Sequence, residues 1–207
     1  MREFFIKGGP VMWPLLGCSL VALAVIIERM LFWVRSRDRR GCRSESVAQV
    51  LDLSRKRDFD KALELAERTA DSVARVLAAG LRQRGAGLGD HMAVAADNEL
   101  ASMRRGMAVL DTIVTVAPLL GILGTVTGII GAFNMLGGSE IQDPKAVVGG
   151  LAEALITTAA GLVIAIGTVI PFNLFRARIG QETKRIENAA TLLEAACRGA
   201  QENARAS

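Results

Sequence analysis

The sequence predicts an all-α integral membrane protein with three transmembrane helices, and three observations carry that class. Apolar residues make up 51% of the chain and gather in long runs at 11–34, 109–136 and 146–175. A bilayer's hydrocarbon core takes about 20 apolar residues in helix, so each run is long enough to cross it. Basic residues gather at the run ends: Arg35, Arg37, Arg39, Arg40 and Arg43 follow the first, Arg104 and Arg105 precede the second, and Arg176, Arg178, Lys184 and Arg185 follow the third. The positive-inside bias then places these ends in the cytoplasm and the N-terminus in the periplasm. Finally, only GGSEIQDPK, residues 137–145, separates the second and third runs. A connection that short makes the two spans antiparallel neighbours.

Residues 1–10 are a mixed-charge periplasmic segment. Span one, 11–34, reads as retained, because Glu28-Arg29 and Leu31-Phe32-Trp33 follow where a signal peptide would place small residues. Leu15-Leu16-Gly17-Cys18 resembles a lipoprotein cleavage box only superficially, since the apolar run continues past Cys18. Trp13 and Trp33 lie about 30 Å apart at helical rise, suited to the two interfaces.

Residues 35–108 read as a cytoplasmic helical domain. Val47, Val50, Leu51 and Leu53 mark one short amphipathic helix. Asp58 or Asp60 can cap a second, with Ala62, Leu63, Leu65 and Ala66, and Asp71 or Ser72 can start a third, with Val73, Val76, Leu77 and Leu81. Gly85 to Gly89 is a break, after which Met92, Ala96, Leu100, Met103 and Met107 resume helical spacing. So few helices bury little core alone; they are expected to pack on extensions of the membrane helices or on a neighbouring subunit.

Span two, 109–136, carries a stripe of small residues: Pro118, Gly121, Thr125, Gly128 and Ala132, with Gly124 and Gly131 beside it. Small residues at three- and four-residue steps let helix backbones approach closely in lipid. Span three, 146–175, contains a single ionisable residue, Glu153. A carboxylate in hydrocarbon costs a few kcal/mol on insertion scales unless it faces protein or water. Glu153 shares a helical stripe with Thr157, Ala160, Ile164, Gly167 and Pro171, smaller and more polar than the surface of Leu151, Leu155, Leu162 and Val169. Two roles stay open on this evidence: an interhelical hydrogen bond that fixes packing, or a titratable relay. Beyond the span, 176–207 continues as a cytoplasmic helix through Ile179, Ile186, Leu193 and Cys197, giving a helix of about 45–50 residues in all.

Several function classes fall away. The chain has no Walker A, dinucleotide-binding or G-x-S-x-G element, so no enzyme site is expected. One histidine and three scattered cysteines fit no zinc spacing, and neither metal nor cofactor is expected. A net charge of +4, with its basic residues beside spans, is a topology signal and no nucleic-acid footprint.

Two stretches, Ala117-Pro-Leu-Leu-Gly-Ile-Leu-Gly-Thr-Val-Thr-Gly128 and Gly150-Leu-Ala-Glu-Ala-Leu-Ile-Thr-Thr-Ala-Ala-Gly-Leu162, strongly resemble the MotA/TolQ/ExbB proton-channel family, its ExbB branch first and TolQ next. The resemblance implies a pentamer in the bacterial inner membrane, with spans two and three around a central channel. It implies an ExbD- or TolR-like partner with one span and a membrane Asp, and a TonB- or TolA-like transducer. Carried over by motif position, Glu153 is the channel acid, and Thr125 and Thr158 are the channel hydroxyls. Thr157 is the hydroxyl that the helical stripe itself prefers. Pro118, Gly121, Gly128, Ala132 and Gly161 are the channel's packing positions. The family often has a proline where this sequence has Gly167, with Pro171 one turn later. The function implied is a proton-driven motor subunit working with a TonB-like transducer, or its TolQ-like counterpart. A secondary transporter would need internal repeats around a midplane site, which three spans do not supply. A scaffold in which Glu153 only hydrogen-bonds between helices is the remaining alternative.

Overall fold

The computed structural model describes residues 9–37, 40–83, 87–136 and 144–206. The segment up to residue 8, the start of the glycine break and the connection at 137–143 lie outside them. Every element among the described residues is α-helical: α1 (Met12–Arg37), α2 (Arg40–Arg55), α3 (Phe59–Arg68), α4 (Ser72–Arg82), α5 (Leu88–Arg104), α6 (Met107–Leu136) and α7 (Pro144–Ala206). Three of them, α1, α6 and α7, are long and apolar enough to cross a membrane. The chain forms two compact units, one of Met1–Met30 with Gly106–Phe175, the other of Leu31–Arg105 with Arg176–Ser207.

At 63 residues, α7 is longer than the expected 45–50. Pro171 lies within it without ending it, as neighbouring helices permit in a membrane segment. Gly180 meets nothing within 4 Å and costs only its weak helix propensity. The tail beyond Asn188 is rich in Ala, Leu, Glu and Arg, all strong helix formers, so no physical signal stops the helix there.

In the first unit α6 and α7 are antiparallel along a seam that lacks side chains. A Cβ on Gly161 would sit 2.5 Å from the Ala117 carbonyl oxygen, and one on Gly121 would sit 3.0 Å from the Thr158 Cα. Further along, Gly128 abuts Ala154 and the Gly150 carbonyl. Lipid supplies no hydrophobic drive between helices, so their attraction is van der Waals contact, which such close approach maximises. The first helix joins them antiparallel to α6: its Val25 meets Gly106 at the start of α6, while Gly9, just before α1, reaches the level of Glu153 on α7. Gly106 has φ 76°, so glycine suits it twice over. Outward faces carry Leu20, Leu23 and Ile27 of α1, Leu119, Ile122, Val126 and Phe133 of α6, and Leu155, Val163, Ile166 and Ile170 of α7. That much contiguous apolar surface is foreign to a water-facing monomer and ordinary in lipid.

The second unit is a bundle of shorter helices. Its centre is α4, whose Val73, Ala74, Val76, Leu77, Ala78 and Leu81 are all buried. Asp71 caps that helix, accepting from the Val73 N–H at 2.8 Å. The unit packs on the extension of α7: Gly80 of α4 is where Met92 of α5 and Leu193 of α7 converge. Arg75 grips Glu99 with two hydrogen bonds of 2.6 and 2.5 Å, tying α4 to α5 and raising the guanidinium's pKa. Arg178 stacks 5.9 Å from the Trp33 ring centroid, and Arg185 bonds to Glu182 at 2.7 Å.

The two kinds of glycine should respond in opposite ways. Gly161→Ala forces backbone apart and is expected to cost about 1–3 kcal/mol, like other overpacked cores. Gly180→Ala meets no obstacle and should stabilise by about 0.4–1 kcal/mol. Thermal unfolding of the detergent-purified variants checks both signs.

Candidate proton-pathway site

Glu153 is half-buried in the first unit, at the wall of a cavity of about 230 Å³ between α6, α7 and the residues that lead into α1. The volume exists because the helix faces around it carry almost no side chains: Gly124, Gly128 and Gly131 on α6 and Gly150 on α7. Two hydroxyl residues share the space with the acid, Thr127 from α6 and Thr157 from α7. A space this size has room for several water molecules, and a carboxyl with two hydroxyls supplies the polar partners water needs. Among the described residues no cation pairs with the Glu153 carboxylate, and no hydrogen bond ties it across to another helix.

Each threonine's position follows from what its hydroxyl bonds to. In hydrocarbon a free hydroxyl is costly, so most donate to a carbonyl three or four residues back on their own helix. Thr157, 1% exposed, donates to the carbonyl of Glu153 at 3.0 Å, which holds its oxygen one turn from the acid. Thr127 divides its hydroxyl between Leu123 and Gly124 at 3.0 and 3.1 Å. Thr125 donates to Ile122 at 2.6 Å and is half-buried away from the cavity lining. Thr158 is the exception. It crosses to α6 and donates to the Gly121 carbonyl at 2.8 Å, across the seam where glycine leaves that oxygen reachable.

The structure therefore brings Glu153 and Thr157 together and places Thr158 and Thr125 elsewhere. Gly128 and Ala132 line the cavity, and Gly121 and Gly161 form the closest part of the seam. Pro118 lies one position off that seam, which Ala117 occupies with no exposure at all. Sequence reasoning missed Thr127. Its signal was available, because Gly124, Thr127 and Gly131 fall at i, i+3 and i+7, a second small face beside the stripe that was drawn. It also missed Gly9, Pro10 and Val11, for which no local signal exists.

A sequence profile described as the MotA/TolQ/ExbB proton channel family matches residues 68–188, which include α4, α5, α6 and the Glu153 segment of α7. The chain belongs to that family. It is 41% identical to an ExbB-like biopolymer transport protein of Synechocystis sp., over 181 residues that cover 84% of this chain and 70% of the relative. A second ExbB-like protein of the same organism is 36% identical over 192 residues, 87% of this chain and 90% of the relative. The Tol-Pal system protein TolQ of Haemophilus influenzae is 39% identical over 88 residues, 42% of this chain and 39% of the relative. Similarity to this proton-channel family gives the cavity its context, an acid and hydroxyls on helices meant for lipid.

Thr158→Val keeps the shape of residue 158 but removes the hydroxyl that bonds across the seam to the Gly121 carbonyl. It should cost about 0.6–2 kcal/mol of α6–α7 stability, the range of interhelical hydrogen bonds in membranes. Thr125→Val, whose hydroxyl bonds only within its own helix, should leave stability nearly unchanged. Unfolding of the two variants side by side in detergent measures the difference.

Proposed function

We propose that this chain is the ExbB-like subunit of an inner-membrane motor that couples proton entry to a TonB-like energy transducer. Membership of the proton-channel family and the ExbB-like names of its most extensive matches support that branch. In this reading the spans at 11–34, 109–136 and 146–175 cross with the N-terminus periplasmic and the C-terminus cytoplasmic, as the arginines after spans one and three require. Copies of the chain form a pentamer with spans two and three inward. The channel holds an ExbD- or TolR-like partner with one span and a membrane Asp.

The observation that carries the proposal is the setting of Glu153. An acid that served only to pack helices would bond across the seam, as Thr158 does. Glu153 instead borders a cavity with two hydroxyls and room for water. There it can take a proton, hold it as the neutral acid, and hand it to the partner's Asp. Thr157 and Thr127 offer hydroxyl oxygens along that route, and Thr125 serves the channel face between subunits. Each charge that crosses the potential releases about 2.3 kcal/mol per 100 mV, which is the work available to the transducer. Similarity to TolQ supports a second reading, in which the same chemistry drives a TolA-like protein in envelope maintenance.

Substitution of Glu153 separates relay from scaffold. Glu153→Gln keeps the size and hydrogen-bonding capacity but cannot titrate, so the oligomer should form while proton flux in liposomes containing the partner is lost. Glu153→Asp should retain partial flux, because the acid survives one methylene shorter. Normal flux and normal energised uptake with Gln would sink the relay assignment.

A further inference from the structure

Gly9 stands immediately before α1 with φ 66°, a conformation that residues with a side chain rarely adopt. It also faces the acid. A Cβ built on Gly9 would collide with Oε1 of Glu153 and lie 3.3 Å from its Cδ. Pro10 and Val11 continue the same wall of the cavity. These residues are fastened to α1: the Met12 N–H donates to the Gly9 carbonyl at 3.2 Å, and the Trp13 N–H to the Pro10 carbonyl at 3.4 Å. Proline at position 10 holds its own φ fixed. The turn therefore moves with the first turn of α1 and not as a loose end.

We propose that the turn of Gly9, Pro10 and Val11 caps the Glu153 cavity, and that Gly9 is a positioning residue whose missing side chain is the seat of the carboxyl group. The inference deepens the relay reading and takes its meaning in the proton cycle from it. A proton that reaches Glu153 through this wall requires the first turn of α1 to withdraw; access from the other walls does not. Span one then governs access through this wall to the acid carried by span three. The competing explanation is that Gly9 is needed only for its backbone angle, with its nearness to Glu153 incidental.

Two measurements on the full chain separate these explanations. In the first, Gly9→Ala is compared by thermal unfolding in detergent in the native and the Glu153→Asp backgrounds. Asp withdraws the carboxyl by one methylene, so the seat predicts a loss of several degrees in the native background and a much smaller one beside Asp. A backbone-angle requirement predicts the same loss in both, and equal losses overturn the seat. If Gly9→Ala alone fails to accumulate in membranes, its recovery by Glu153→Asp supports the proposal, and equal failure of the double variant overturns it. The second measurement is the rate at which a hydrophobic carbodiimide modifies Glu153 in membrane vesicles, read by mass spectrometry of the peptide that contains it. Gly9→Ala should raise that rate several-fold, whereas Gly17→Ala, on the same helix with nothing within 4 Å of its Cβ, should not. An unchanged rate in Gly9→Ala overturns the cap. Neither readout uses proton flux, so normal flux in Glu153→Gln, which sinks the relay reading, leaves both results standing.

Discussion

The membrane unit depends on one constraint: α6 and α7 must touch through their backbones. Water squeezes apolar surfaces together, but lipid is as apolar as leucine and offers no such drive. What remains is dispersion, which falls away within an ångström or so of contact, and occasional hydrogen bonds. Glycine at 121, 128 and 161 brings carbonyls and α-carbons of facing helices to within van der Waals range. The same proximity makes the Gly121 carbonyl available to Thr158, so this interhelical hydroxyl bond is a consequence of the missing side chains. A larger residue at 121 would remove both terms together.

Missing side chains do two opposite things along this one helix pair. Where backbones converge, at Gly121 and Gly161, their absence lets the helices close. Beside that seam, where Gly131 meets nothing within 4 Å, it leaves a hollow. Glu153 lies at the transition between the two. An acid one turn towards residue 157 would be pressed into the tight seam, where Thr157 already packs against Gly124. One turn the other way, at Gly149, it would face a position with nothing within 4 Å. The location gives the carboxyl space for water and still confines it on several sides.

The fold class was legible because its signals are local and additive: length of apolar run, charge at run ends, brevity of the hairpin. The start of α4 was legible for a similar reason, since Asp71 caps it from its own side chain, whereas α3 follows Asp58 without a side-chain cap and α5 begins at Leu88, inside the expected break. The full extent of α7 was not, because nothing in its tail marks a stop, and helix ends without a breaker are set by the rest of the structure. In the site, Glu153 stood out as the one ionisable residue of its span. The threonines were harder. Thr157 and Thr158 are consecutive, 100° apart on the helix, and only the position of α6 decides which faces the seam's open carbonyl. Gly9 was illegible, since its role depends on a residue far along the chain brought near by the placement of α1.

The long helix α7 shows how the surroundings choose the residues for one geometry. Its buried positions recur at steps of three and four throughout: Ala154, Thr157, Gly161, Ala165, Thr168, Phe172, Phe175, Ile179, Glu182, Ile186, Ala189, Leu193 and Cys197. The period does not change, but the chemistry does. Up to Thr168 the stripe is small, because in lipid only close approach is rewarded. Beyond the span it carries the larger Ile179, Ile186 and Leu193, as expected where water rewards each buried side chain in proportion to its apolar area. Charge follows the same rule. Glu182 is buried at this stripe's polar end yet bonded to Arg185 at 2.7 Å, in a unit where water can solvate the exposed side of the pair. Glu153 has no such arginine among the described residues. On the span itself the acid borders a cavity lined by glycine and threonine instead.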